Sequence, residues 1–163
     1  MVEFRETTVT DATAHAMLAE YFAEREATFP GAGGYRTTFP APEQFVPPAG
    51  VFLVVIDSES GVAVGCGGIR RLASDADDAD PARVRFEVKH LYLRPTARGL
   101  GAGRALLAEL ERRAGAFGAT EVVLDTNASL EAAGSLYRRA GYVDVPPYND
   151  NPNATNWYAK ELG

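Results

Sequence analysis

Residues 83–118 read RVRFEVKHLYLRPTARGLGAGRALLAELERRAGAFG, and the six at their centre, Arg98-Gly99-Leu100-Gly101-Ala102-Gly103, decide the fold. Before them runs a long strand pattern, 83–93. After them Leu106, Leu107, Leu110, Ala114 and Phe117 recur at helical spacing on one face, and Gly118 suits the helix end. Glycines at alternate positions remove Cβ atoms, so successive backbone N–H groups can converge on one anion. The helix that opens near residue 103 adds its unsatisfied N–H groups and the positive end of its dipole. A strand, a glycine-rich turn and a helix in this order make a place for a phosphate or pyrophosphate. The phosphate loop GxxxxGK[ST] has no match, and the dinucleotide pattern GxGxxG would need glycine where Arg104 stands. An isolated turn of this kind reads equally as a plain tight turn. Arg94, Arg98 and Arg104, with no acid anywhere in 94–104, favour an anion.

Outward from the turn, 2–8 reads as a short strand, and Thr10 or Asp11 can cap a helix with Ala14, Met17, Leu18, Tyr21 and Phe22 on its apolar face. Residues 29–50 are dense in Pro and Gly, which predicts a mobile connection with one short helix. Strands follow at 51–57 and 62–72, the second interrupted by Gly65, Gly67 and Gly68, as a bulge or a close backbone approach would require. An acidic hairpin loop occupies 74–81. The strand at 121–126 must run parallel to 83–93, because a helix joins them. A helix at 129–140, stopped by Gly141, a strand at 142–145 and a last strand at 156–162 complete the chain. The expected fold is α/β (α+β): one domain over 1–163, with a mixed, mostly antiparallel sheet flanked by about four helices.

Composition narrows the function. The 163 residues carry 22 acidic against 16 basic side chains, a net charge of −6, with 46% hydrophobic residues. That balance argues against a nucleic-acid partner. A single cysteine, Cys66, excludes an internal disulfide and a Cys-based zinc cluster, and two histidines are too few for a His-rich metal site, so no metal is expected. No apolar run reaches membrane-spanning length and the first residues lack an apolar export segment, so a cytoplasmic location away from membranes is expected. The acidic run from Asp75 to Asp80 lacks the spacing of a calcium loop. The charge is uneven: 1–93 holds 14 acids and 8 bases, whereas 94–163 holds 8 of each.

Residues 98–103 fit the pattern [Q/R]-x-x-G-x-[G/A]. Glu87-Val88-Lys89-His90-Leu91-Tyr92-Leu93-Arg94-Pro95 precedes them, and Asn127 with Ala132-Ala133-Gly134-Ser135-Leu136-Tyr137-Arg138-Arg139-Ala140-Gly141-Tyr142 follows. These three motifs, in this order, resemble the GNAT superfamily of acetyl-CoA-dependent N-acetyltransferases. The likeness is strong over 83–145 and weaker over 1–82. It implies an acetyl-CoA-binding core at 83–145, an acceptor side mainly in 1–82 and a C-terminal strand in 146–163. By that resemblance Arg98, Gly99, Leu100, Gly101, Ala102, Gly103 and Arg104 hold the CoA pyrophosphate. Leu91 and Leu93 offer backbone groups to pantetheine where their strand splays from its neighbour, and Asn127 offers its side-chain amide. From local sequence alone, Asn127 reads equally as a turn or capping residue.

Acetyl transfer from a thioester to an amine needs a neutral amine, an oxyanion donor and a proton for the thiolate. The resemblance points to Tyr137, of the Leu-Tyr pair, as the acid. Periodicity also allows a core aromatic, and a phenol can be both. Glu87, eleven residues before Arg98, is where many GNAT members carry a glutamate base; it reads equally as an exposed strand carboxylate facing Lys89 or Arg85. Strict alternation puts His90 on the face opposite Glu87 unless a bulge shifts the phase. Cys66 reads as a small core side chain rather than an acyl carrier. Tyr35 in the 29–50 connection, and Tyr148 and Asn149 in the tail loop, are candidates for the acceptor wall; ordinary turn and edge roles suit them as well.

The function implied is acetyl transfer by direct attack of a primary amine, small-molecule in kind. The alternatives are a protein or peptide amine, or a catalytically silent CoA-binding module. GNAT proteins are often dimers, so the resemblance allows a homodimer. The acid surplus in 1–93 leads to the expectation of a cationic acceptor.

Overall fold

Five consecutive residues, Val51 to Val55, have no exposed surface at all, because both faces of their strand are covered. In the computed structural model, which describes residues 1–74 and 79–163, that strand is β2 (Gly50–Asp57), between β1 (Val2–Thr7) and β3 (Ala63–Arg71). The sheet continues through β4 (Arg85–Leu93) and β5 (Glu121–Thr126) to β7 (Asn156–Glu161), with β6 (Val143–Val145) at the edge. Neighbouring strands are antiparallel except β4 and β5, which are parallel as the helical crossover between them demands. The acidic loop expected at 74–81 falls across 75–78, outside the described residues.

The helices are α1 (Ala12–Thr28), α2 (Ala102–Ala116) and α3 (Glu131–Arg139). Asp11 caps α1, accepting hydrogen bonds from the N–H groups of Thr13 and Ala14 at 3.1 Å each. Among the described residues three α-helices stand where about four were expected. The fourth, in 29–50, is a single 3-10 turn at Pro42–Phe45, because the surrounding prolines withhold the donors that a longer helix needs.

Alternation along β2 sends Leu53 and Val55 to one face, with Leu106, Leu107 and Leu110 of α2 and Tyr137 of α3. Phe52 and Val54 go to the other face, with Met17, Leu18 and Phe22 of α1. Cys66 lies in this second cluster, fully enclosed; burial pushes its thiol up, which makes it a poor nucleophile.

Two irregularities shape β4. Its pairing with β3 slips by one residue between Cys66 and Gly68, at a bulge where His90 adopts φ +58°. Its pairing with β5 covers only Arg85, Phe86 and Glu87, opposite Glu121, Val122 and Val123. Beyond Glu87 the two strands part.

The bulge needs β3 and β4 close together. A Cβ on Gly65 would stand 2.3 Å from the carbonyl oxygen of Tyr92, a contact with backbone that no rotamer relieves. Gly65→Ala is therefore expected to lose about 2–3 kcal/mol of stability, measured by urea unfolding.

Candidate active site

The glycine-rich turn feeds directly into α2. Gly101, at φ +84°, is the residue before the helix, and no side chain caps the helix start. The first N–H of this turn with a partner inside the helix is that of Ala105, which donates to the carbonyl of Gly101 at 3.1 Å. The N–H groups of residues 101–104 stay open, with the helix dipole behind them, and suit a diphosphate.

Two of the three neighbouring arginines are engaged by acids of α1. Arg94 grips Glu20 of α1 with a two-pronged contact at 2.8 and 2.7 Å. Arg98 sends Nη2 to both carboxylate oxygens of Glu24, one turn further along α1, and its Nε to the carbonyl of Leu93. They fasten the turn to α1. Arg104, exposed on the first turn of α2, is the one of the three with no ion pair among the described residues. The open amides of 101–104, with Arg104 beside them, are the donors that stand unengaged at this turn among the described residues.

Where β4 and β5 part, a cavity of about 110 Å³ opens between them. Tyr21, Arg25, Tyr35, Lys89 and His90 line it toward α1; Leu91, Leu124, Ala133 and Tyr137 line it toward α3. Its roof joins distant parts of the chain: the N–H of Arg36 donates to Oδ1 of Asn153 at 2.9 Å, and Nδ2 of Asn153 donates back to the carbonyl of Arg36 at 2.8 Å.

A buried polar network backs this cavity. Extending the β4–β5 register by two residues would put Lys89 opposite Asp125, and there a side-chain bond replaces the ladder: Lys89 Nζ donates to Asp125 at 2.9 Å. Glu87, fully enclosed, accepts from Nε and Nη2 of Arg70 at 3.0 and 2.9 Å on one oxygen, and from the Tyr148 hydroxyl at 2.6 Å on the other. Asn149 donates to Asp125 at 2.6 Å and accepts from the Trp157 indole at 2.9 Å. Burial alone would raise the carboxyl pKa of Asp125. The Lys89 charge and the hydrogen bonds from Lys89, Asn149 and Asn151 outweigh it and hold the group below its ordinary value.

Comparison with known proteins gives the geometry a family. The profile of the acetyltransferase (GNAT) family matches residues 14–142. The chain belongs to the GNAT family. An uncharacterized N-acetyltransferase of Schizosaccharomyces pombe is 34% identical over 109 residues, 67% of this chain and 61% of that protein. An IAA acetyltransferase of Azospirillum brasilense is 35% identical over 94 residues, 58% of this chain and 56% of that protein. The chain thus spans about three fifths of the length of these relatives. Among solved structures, a candidate acyl-CoA N-acyltransferase of Klebsiella pneumoniae superimposes with a TM-score of 0.74 at 28% identity, covering 100% of this chain and 99% of that one. The NatC complex bound to Gag peptide and CoA gives 0.71 at 16% identity, covering 99% of each chain.

The GNAT motifs fall around the slit, but not every expected residue faces it. Leu91 and Tyr137 line the cavity, and Leu93 follows on the same parted strand. Burial, with the nearby charges of Asp125 and Tyr158 adding to it, pushes the Tyr137 hydroxyl up to about 12. Asn127 also lines the cavity, yet its side chain closes a turn by accepting from the Ser129 N–H at 3.0 Å and donating to the carbonyl of Asn153 at 3.2 Å. Tyr35 is on the cavity wall; Tyr148 and Asn149 are behind it, committed to Glu87 and Asp125. Glu87 is neither exposed nor on the cavity wall, and Arg70 and Tyr148 engage both of its oxygens. His90 is the reverse case: the bulge turns it to the α1 face beside Tyr21, Phe22 and Phe45. Burial, then the charges of Lys89 and Arg70, lower it to about 3, so it is neutral. Arg25 went unrecognised, although it continues the α1 apolar stripe of Leu18 and Phe22, where a charged residue is itself a signal.

Lys89→Met would leave Asp125 buried without its cation. The expected loss is about 3 kcal/mol near pH 7. Without Lys89 the folded-state pKa of Asp125 rises above its unfolded value, so the folded protein holds the proton more tightly. The deficit should therefore shrink as the pH falls from about 7 to about 5, as urea unfolding at the two values would show.

Proposed function

We propose that this chain is an acetyl-CoA-dependent N-acetyltransferase acting by direct transfer to a primary amine of a small molecule. The observation that carries the reading is the parting of β4 and β5 beyond Glu87, with open amides at 101–104 on one flank and the Tyr137 hydroxyl in the gap. Family membership and the CoA held by the superimposable NatC complex support acetyl-CoA as donor. The N–H groups of 101–104 take the diphosphate. The β4 edge at Leu91 and Leu93, unpaired toward β5, offers backbone groups to the pantetheine arm. The acceptor enters from the α1 side, under the roof made by Tyr35, Arg36 and Asn153.

The amine nitrogen bonds to the acetyl carbonyl carbon, the C–S bond breaks and CoA leaves as the thiolate; the proton that the nitrogen sheds on becoming an amide passes to solvent water, from which the thiolate is protonated. Tyr137, protonated at neutral pH, donates to that sulfur. Its pKa, pushed up to about 12, lies above that of an ordinary thiol, so complete proton transfer is uphill. Its contribution is a hydrogen bond that strengthens as charge develops on the sulfur. Glu87, expected as general base, we assign instead to positioning Lys89 and Tyr148. The cavity wall bears no free carboxylate, since Asp125 is held by Lys89 and Asn149. The amine must therefore arrive neutral.

Release of CoA thiol over a panel of primary amines tests the reading; absence of both turnover and acetyl-CoA binding in calorimetry would overturn it. Tyr137→Phe should lower kcat roughly a hundredfold with little change in acetyl-CoA affinity. The rate should rise with pH along the titration of the acceptor amine itself, and Glu87→Gln should leave the shape of that profile unchanged.

A further inference from the structure

The sequence leads to an acidic acceptor side suited to a cation. The structure places the opposite charge there. Arg25 is 5% exposed and lines the cavity, and among the described residues its Nη1 is the sole buried side-chain nitrogen or oxygen without a hydrogen-bond partner. Its guanidinium lies over the rings of Tyr35 and Phe29, with centroids at 5.2 and 5.8 Å. Those contacts hold the group in place and leave its donors unanswered.

The acids of α1 cannot answer them. Glu20 and Glu24 are taken by Arg94 and Arg98, and Glu26 accepts from Thr37. On the far wall Asp125 is taken by Lys89. His90, neutral, adds no charge of its own. A guanidinium removed from water without an anion is costly, and a planar fork of donors is shaped for a carboxylate.

We propose that Arg25 binds a carboxylate of the acceptor, so that the substrate is a small primary amine that also bears a carboxylate. The inference rests on the acetyltransferase reading: the carboxylate is held toward α1 while the amine points into the gap between β4 and β5. Arg25 is then a specificity residue, with no part in the bond changes.

The probes are a ladder of ω-amino acids of increasing length and an aromatic α-amino acid, each paired with its carboxamide. With acetyl-CoA, thiol release should favour at least one acid over its own amide by about a hundredfold in kcat/KM. Arg25→Met should abolish that preference by slowing the acid while changing the amide within about twofold, and Arg25→Lys should restore part of it. Equal use of acids and amides by the native protein, or an equal loss for both in Arg25→Met, would overturn the proposal. Calorimetry of the same pairs without acetyl-CoA separates the two readings. Acid binding that exceeds amide binding and vanishes in Arg25→Met supports the carboxylate site even where no acetyl transfer is found. Should Arg25→Met fail to fold, the acid–amide comparison on the native protein decides by itself.

Discussion

A backbone that leaves a ladder must find other partners, and in this protein β4 leaves β5 halfway along. The strand stays paired with β3 on one side throughout, while on the other its pairing ends at Glu87 and Val123. The bulge at His90 is where the course changes: a left-handed residue in a strand turns the following side chains over and increases the local twist. Beyond Glu87 one edge of β4 faces a gap rather than a neighbour. Unpaired amides and carbonyls beside a cavity are costly to leave empty and cheap to offer to an extended amide-bearing chain. The site is thus a consequence of interrupted pairing more than of any individual side chain.

Interruption also needs a brace. At the position where the ladder would have continued, Lys89 and Asp125 meet through their side chains, and Glu87, Arg70, Tyr148 and Asn149 satisfy what remains. A network of this kind adds little net stability over an apolar core, because desolvating the ions offsets most of their attraction. It does fix geometry, since Glu87, Asp125 and Asn149 each hold two partners. Backbone pairs would have closed the gap; side chains keep it open at a set width.

What the sequence revealed divides along the same line. The glycine-rich turn, its strand and its helix are contiguous, so their physics is written in one window: Gly99 and Gly101 both take positive φ, and the apolar face from Leu106 to Ala114 packs where spacing puts it. Element order and the parallel β4–β5 crossover were equally legible. Pairings between distant residues were not. Nothing near residue 98 tells that its guanidinium will meet Glu24, 74 positions away, and nothing near residue 148 tells that a phenol will close over Glu87, 61 positions away. His90 takes the face that plain alternation denies it, because alternation is a rule for regular strands and one inserted residue reverses it.

Charge placement carries the same lesson to the acceptor. A surplus of acid in residues 1–93 describes the chain before its pairs are made. Folding takes Glu20 and Glu24 out of the account by matching them to Arg94 and Arg98 from the basic turn, so the two most conspicuous charge features cancel each other. What a substrate meets is the remainder, and beside the gap that remainder is Arg25, packed under aromatic rings with donors unmet. A charged residue on a helix stripe where leucine would pack without desolvation cost is the feature on which the proposed carboxylate contact rests. The proposed partner follows from the sign of the unpaired charge rather than from the sign of the total.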